Sequence, residues 1–149
     1  MKEKIIEGVI LTKNKQISAK GGDVFHGLTV NDPGFEGFGE AYFSTINNSE
    51  IKAWKRHKLM TLNFIVIQGE IKVVLFDDRK SSSTRNRFNE FKLSRSDYYR
   101  LTIPPLLWVG FQSLQEDIGI LLNIANLPHS PKEVENKKLE EINYSWQRN

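Results

Sequence analysis

Residues 63–79 read Asn63-Phe64-Ile65-Val66-Ile67-Gln68-Gly69-Glu70-Ile71-Lys72-Val73-Val74-Leu75-Phe76-Asp77-Asp78-Arg79. This is an apolar, β-branched run, a short turn, a second such run and a polar exit. Both runs have strand length and strand composition. Gly69 suits the turn because it takes a positive φ without steric cost. Outward from this pair the same rhythm recurs. Runs at 5–11, 40–46, 51–58, 61–67, 71–76, 88–93, 98–103, 107–112 and 118–125 lie between turn signals such as Asn47-Asn48-Ser49. Short strands at this spacing predict an all-β barrel or sandwich.

Helix signals are confined to the end. After Pro128, Ser130-Pro131-Lys132-Glu133-Val134-Glu135 reads as the start of a short C-terminal helix. Serine can cap it, proline fits its first turn, and acids favour the positive end of the dipole. Ser81 to Arg87 is polar and reads as a mobile loop.

The chain has 149 residues, 39% of them hydrophobic and 26% charged. One globular domain spanning 1–149 is expected. No apolar run approaches the roughly 20 residues of a membrane helix. The start, Met1-Lys2-Glu3-Lys4, lacks an export leader's apolar core, so a cytoplasmic protein without a membrane partner is expected. There are no cysteines, which excludes disulfides, thiolate metal sites and cysteine nucleophiles. With 21 basic and 18 acidic residues the net charge is +3, too mild to indicate nucleic acid.

The chemically dense segment is Lys52-Ala53-Trp54-Lys55-Arg56-His57-Lys58. As a strand it puts Ala53, Lys55 and His57 on one face and Lys52, Trp54, Arg56 and Lys58 on the other. Two readings stand. It is an edge strand whose lysines oppose aggregation. Or it lines a barrel mouth, where Lys55 and Arg56 pair with phosphates, Trp54 offers a flat surface, and His57 exchanges protons. Asp77, Asp78 and Arg79 either solvate a strand end or reach a pocket. Trp54 and Trp108 are expected to line that pocket, and Phe64 and Phe76 to pack. Asn63 and Asn123 sit in apolar strands and need partners if buried.

Several segments, taken in order, resemble the dTDP-4-dehydrorhamnose 3,5-epimerase family of the cupin superfamily, and more closely a short subgroup related to that enzyme. They are Gly21 to His26, Phe35 to Ser44, Lys52 to Lys58, Asn63 to Arg79, Tyr99 to Phe111, and Asn123 through Pro128-His129 to Trp146. The resemblance implies a jelly-roll β-barrel that forms a homodimer, often by exchanging N-terminal strands. It implies a nucleotide-linked, dTDP-type 4-keto-6-deoxyhexose as substrate and no metal or redox cofactor. A 4-ketone acidifies its neighbouring C–H bonds, so a base, an enolate stabiliser and an acid are needed. The family's base histidine lies in an Arg-Gly-Leu-His motif that falls on Trp54 to His57. His57 thus inherits the base position, and Trp54 that of the family's ligand-contacting arginine. Asp77 joins His57 in the expected catalytic set. Trp54, Lys55, Arg56, Asn63, Arg79, Trp108 and Asn123 are the expected substrate-binding residues.

Two departures stand out. Leu62 occupies the position of the family's enolate lysine, and Leu122 or Asn123 that of its acid tyrosine. Tyr42, Tyr98, Tyr99 or Tyr144 is then left to supply an acid, and Lys55 a cation. The three histidines, His26, His57 and His129, lack metal-ligand spacing, so no metal is expected. The first expectation is an epimerase-like, metal-independent isomerase with His57 as base. The alternatives are a non-catalytic cupin that binds sugar nucleotides, and a 3,4-ketoisomerase. That last family carries a paired histidine where this chain has Arg56-His57-Lys58.

Overall fold

The computed structural model describes residues 3–146; Met1 and Lys2, part of the N-terminal reading above, lie outside them. The strands are β1 (Ile10–Lys13), β2 (Gln16–Ile17), β3 (Val24–Phe25), β4 (Glu40–Ile46), β5 (Ile51–His57), β6 (Leu62–Gln68), β7 (Glu70–Phe76), β8 (Phe88–Ser94), β9 (Tyr99–Ile103), β10 (Trp108–Ser113), β11 (Gly119–Ala125) and β12 (Val134–Asn136). They build two five-stranded sheets, ordered β1-β9-β6-β11-β4 and β12-β5-β10-β7-β8, and a small β2-β3 ribbon. All pairings are antiparallel. This is the cupin jelly roll.

The turn at Gly69 does not close a hairpin. β6 belongs to the first sheet and β7 to the second, so the chain turns a corner between them. Gly69 has φ +77°, and a Cβ there would stand 3.0 Å from the Cα of Gly119. Pro104-Pro105 makes a second such corner, between β9 and β10.

Both central strands are apolar along most of their length because both of their faces are covered. Between the sheets lie Ile46, Leu62, Phe64 and Val66 from one side and Ile71, Val73, Leu75, Leu93 and Val109 from the other. On the outer face of the second sheet a separate cluster joins Trp54, Val74 and Trp108 to Ile142, with Phe76, Phe88, Tyr144 and Trp146 against it. The C-terminal tail therefore straps that face.

Three expectations change. The first run does not form a strand from residue 5: Ile6 and Val9 are buried, and a turn at Gly8, φ +90°, separates them. The backbone N–H groups of Ile6 and Glu7 donate to the side chains of Asn89 and Thr84 instead of to a ladder. The polar loop after Phe76 is pinned through Thr84, which is fully buried. The helix expected after Ser130 is one 3-10 turn, Pro131–Glu133, followed by β12; Ser130 makes no side-chain cap bond. Tertiary partners outcompete helix propensity here: β12 pairs with β5, and the Glu133 carboxylate is taken by groups before it in the chain.

Candidate active site

Where the apolar core meets one wall of β5, Leu62, Phe64, Val109 and Leu121 border a cavity of about 380 Å³. β5 supplies Lys55 and His57 to it, on the face that strand alternation assigned to them; Ala53, expected with them, packs against the outer aromatic cluster, and Lys52, expected on the other face, borders the cavity. Facing them from the other sheet are Tyr42 and Ser44 of β4 and Asn123 of β11.

His57 is 7% exposed and held at two points. Its carbonyl accepts a hydrogen bond from Leu106 N–H, 2.7 Å, at the proline corner. Its Nδ1 lies 2.7 Å from Oε2 of Glu133. The other carboxylate oxygen, Oε1, accepts from the backbone N–H groups of Leu59, 2.8 Å, and Met60, 2.9 Å. Burial opposes the Glu133 charge, but the bonds from His57, Leu59 and Met60 outweigh it and hold the carboxyl below its ordinary value. An ionised Glu133 can only accept, so Nδ1 carries the hydrogen, and in the neutral imidazole Nε2 keeps the lone pair. That is the tautomer of a general base whose orientation is fixed by a carboxylate.

On the opposite wall, Tyr42 and Asn123 are direct partners in the β4–β11 ladder. Asn123 Nδ2 donates to the Tyr42 hydroxyl oxygen, 3.1 Å. The other candidate tyrosines are engaged elsewhere. Tyr98 donates to the carbonyl of His26, 2.7 Å, Tyr144 donates to Glu90, and Tyr99 packs on the core.

Several residues expected in the pocket lie outside it. Arg56 is on the outer face of β5, bonded to Asp78 at 2.9 Å and to Glu135, with its guanidinium 4.5 Å over the Trp108 ring. Strand alternation turns it away from His57, and the irregularity between β10 and β5 does not bring it back. The indole of Trp54 lies in the outer cluster and donates to the carbonyl of Leu139, so only its backbone can border the cavity. Trp108 lies there too, donating to Asp78 at 3.0 Å. Phe76 packs as expected, stacking on Phe88 outside, while Phe64 packs in the core and also borders the cavity.

Asn63 alternates away from the cavity side of β6. Its Oδ1 accepts from Arg100 Nη1, 2.7 Å, and the Thr102 hydroxyl, 2.6 Å, and its Nδ2 donates to the carbonyl of Gly34. Asp77 and Arg79 do not reach the cavity either. The buried Asp77 carboxylate accepts from Arg79, Ser82 and Thr84 and so organises the loop after β7. Arg79 also donates to the carbonyl of Glu7, tying the N-terminal segment to that loop.

Lys55, His57 and Asn123 are thus brought together, and Glu133 is the site residue that sequence reading missed. The local pattern around Ser130 gives that acid to a helix dipole instead. A contact across 76 residues, made from the last residue of a single 3-10 turn, leaves no local signal. Among the described residues no group of three His, Asp or Glu side chains is arranged to hold a metal, and no helix is long and apolar enough to cross a membrane.

The chain superposes on a dTDP sugar isomerase from Desulfovibrio desulfuricans G20 with a TM-score of 0.91 and 40% identity, covering 95% of this chain and 92% of that one. It superposes on a dTDP-4-dehydrorhamnose 3,5-epimerase from Sulfolobus tokodaii with a TM-score of 0.81 and 22% identity, covering 97% and 85%, a likeness of fold. The chain belongs to the dTDP-4-dehydrorhamnose 3,5-epimerase-related family. The chain is also similar to a Haloferax volcanii protein named a probable low-salt glycan biosynthesis epimerase, 27% identical over 84 residues. That match spans 56% of this chain and 54% of the relative, so it covers about half the relative's length. No protein-family model matches the chain.

Proposed function

We propose that the protein is a metal-independent, epimerase-like isomerase that moves a proton next to the ketone of a nucleotide-linked 4-keto-6-deoxyhexose, with dTDP as the nucleotide. The observation that carries this reading is the buried His57–Glu133 pair opening onto the cavity. Kinship with an isomerase of dTDP sugars supports the substrate class.

Nε2 of His57 removes the hydrogen from the carbon beside the ketone. The C–H electron pair becomes the enolate double bond, and the carbonyl π pair moves onto oxygen. Glu133 stabilises the imidazolium so formed. Lys55, two residues from His57 on the same strand face, is the cavity-lining Lys nearest to it in sequence and balances the enolate oxygen. It stands in for the family lysine, whose position Leu62 fills. Lys52 also borders the cavity, but its Nζ is bonded to the carbonyl of Thr45.

A homodimer in the cytoplasm completes the reading. Val30, Phe38 and Phe43 are each more than 60% exposed, more apolar surface than an isolated chain needs to show. Light scattering tests the dimer.

The test of the activity is uptake of solvent deuterium into dTDP-4-keto-6-deoxyglucose, compared with the His57→Ala variant. Exchange in the native protein and its loss in the variant are expected; equal exchange in both removes His57 from the chemistry. Leu62 favours one other reading, a cupin that binds the nucleotide sugar without turning it over. Calorimetric binding with no deuterium uptake would establish that reading instead. NMR of the product distinguishes an epimer from a 3,4-ketoisomer by the carbon that bears the carbonyl.

A further inference from the structure

We propose that Tyr42 is the acid that returns the proton, and that Asn123 aims its hydroxyl and holds a hydroxyl of the sugar. This rests on the isomerase reading and deepens it.

Three observations converge. First, Tyr42 and His57 belong to different sheets and border the same cavity, so a flat enolate between them meets a base on one side and a phenol on the other. Second, Asn123 occupies one end of the position that the resemblance assigns to the acid tyrosine, yet its carboxamide cannot give up a proton at neutral pH. Its ladder partner places a phenol oxygen 3.1 Å from Nδ2. The position on β11 that the resemblance gives to an acid is thus paired with a phenol supplied by the neighbouring strand, β4.

Third, the hydrogen bonding is directional. Nδ2 donates, so it fills a lone pair of the phenol oxygen and leaves the phenol hydrogen to point elsewhere. Among the described residues the Tyr42 hydroxyl has no other hydrogen bond. Its donor is therefore unassigned on the cavity side. Asn123 Oδ1 is buried and unpartnered in a side chain only 2% exposed. A buried amide oxygen without a donor is costly, and a sugar hydroxyl entering the cavity satisfies it.

The step balances. The enolate carbon takes the hydrogen of the Tyr42 hydroxyl on the face away from His57. The enolate π pair forms the new C–H bond, and the carbonyl re-forms from the pair on oxygen. The O–H pair stays on Tyr42 as phenolate, where the Asn123 N–H bond becomes charge-assisted. Tyr42 is 43% exposed, so water can return its proton after release.

The experiment follows dTDP-4-keto-6-deoxyglucose in deuterated buffer by NMR, scoring deuterium uptake and inversion separately. Tyr42→Phe should lower inversion by about 100-fold or more. Deuterium uptake should fall by less than about tenfold, because His57 alone still removes hydrogen and returns deuterium to the same face. Asn123→Asp keeps an acceptor and removes the N–H donor. It should lower inversion by about tenfold with little change in KM, while Asn123→Ala should raise KM as well. Adding Asn123→Asp to Tyr42→Phe should cost no further inversion, since the two groups act as one.

If Tyr42→Phe inverts within threefold of the native rate, the acid is another group and the inference falls while the isomerase reading stands. If both Asn123 variants invert at the native rate with native KM, Asn123 has no part. Absence of deuterium uptake in the native protein would instead overturn the isomerase reading itself. Retained dTDP binding by calorimetry certifies that each variant is folded.

Discussion

Oε2 of Glu133 stands 2.7 Å from Nδ1 of His57, while Oε1 of the same carboxylate accepts two backbone N–H groups from the residues just after β5. One side chain therefore sets both the imidazole tautomer and the chain path beside it. In Glu133→Gln the amide oxygen should turn to the two N–H donors, leaving its NH2 facing Nδ1. The imidazole must then carry its hydrogen on Nε2, where it cannot act as base. Inversion should fall by about 100-fold or more with dTDP binding retained, measured as kcat beside a calorimetric titration. A loss under threefold would mean that the carboxylate does not govern the base.

Lys55 is the cavity cation two positions from His57. Lys55→Met should reduce kcat by about tenfold or more and move KM less, because the enolate charge exists only during the reaction. Lys55→Arg should recover part of the loss. Steady-state kinetics on the three proteins checks this, and an unchanged kcat in Lys55→Met would assign the enolate oxygen to another donor.

Asp77 predicts stability, not turnover. Burial opposes its charge, yet bonds from Arg79, Ser82 and Thr84 hold its carboxyl far below the ordinary aspartate value. A carboxyl depressed on folding stabilises the protein fully above its unfolded value, near pH 4, and this contribution is lost as the pH falls through the folded value. Glu133, also depressed, acts in the same direction. Urea unfolding from pH 7 to pH 2.5 should show a steep acid loss. Asp77→Asn should be less stable at pH 7 by about 2–4 kcal/mol and less sensitive to acid, with kcat unchanged. A fall in kcat for the folded variant would return Asp77 to the catalytic set.

Gly34 marks where the segment before β4 crosses the outer face of the first sheet. Its φ is +85°, and an added Cβ would lie 2.2 Å from Thr102 Oγ1. Its carbonyl also accepts from Asn63. Gly34→Ala should destabilise the fold by about 2–4 kcal/mol through strain and overpacking, read as a lower melting temperature. A melting temperature unchanged within one degree would mean that this segment is not tightly seated.

Much of the scaffold is legible from composition and alternation. The run read at 40–46 is β4 residue for residue, and those behind β5 to β11 differ from the strands by a residue or two at their ends. Strand parity alone set Lys55 and His57 apart from Trp54 and Arg56, and it would have turned Asn63 away from Phe64 had the inner face of β6 been known. What parity lacks is the sign of each face. Both sheets bury both faces in places, so an apolar residue such as Trp108 or Phe64 gives no hint of whether it packs inside or outside. Trp54 and Trp108 went outward because the C-terminal tail brings Ile142, Tyr144 and Trp146 over that face.

The amino-acid order by itself determined most of the strand runs, the turns at Gly69 and Pro104, and the placing of Lys55 and His57 on one strand face. These depend on local conformational preference and on a period of two, which a short window contains. Only the tertiary structure chose Glu133 as the partner of His57, brought Tyr42 from among four tyrosines to the cavity, and made the loop after β7 the place of Asp77 and Arg79. Each choice is a contact between segments distant in the chain, fixed when the two sheets close on one another, and no local rule encodes which side chain will stand opposite.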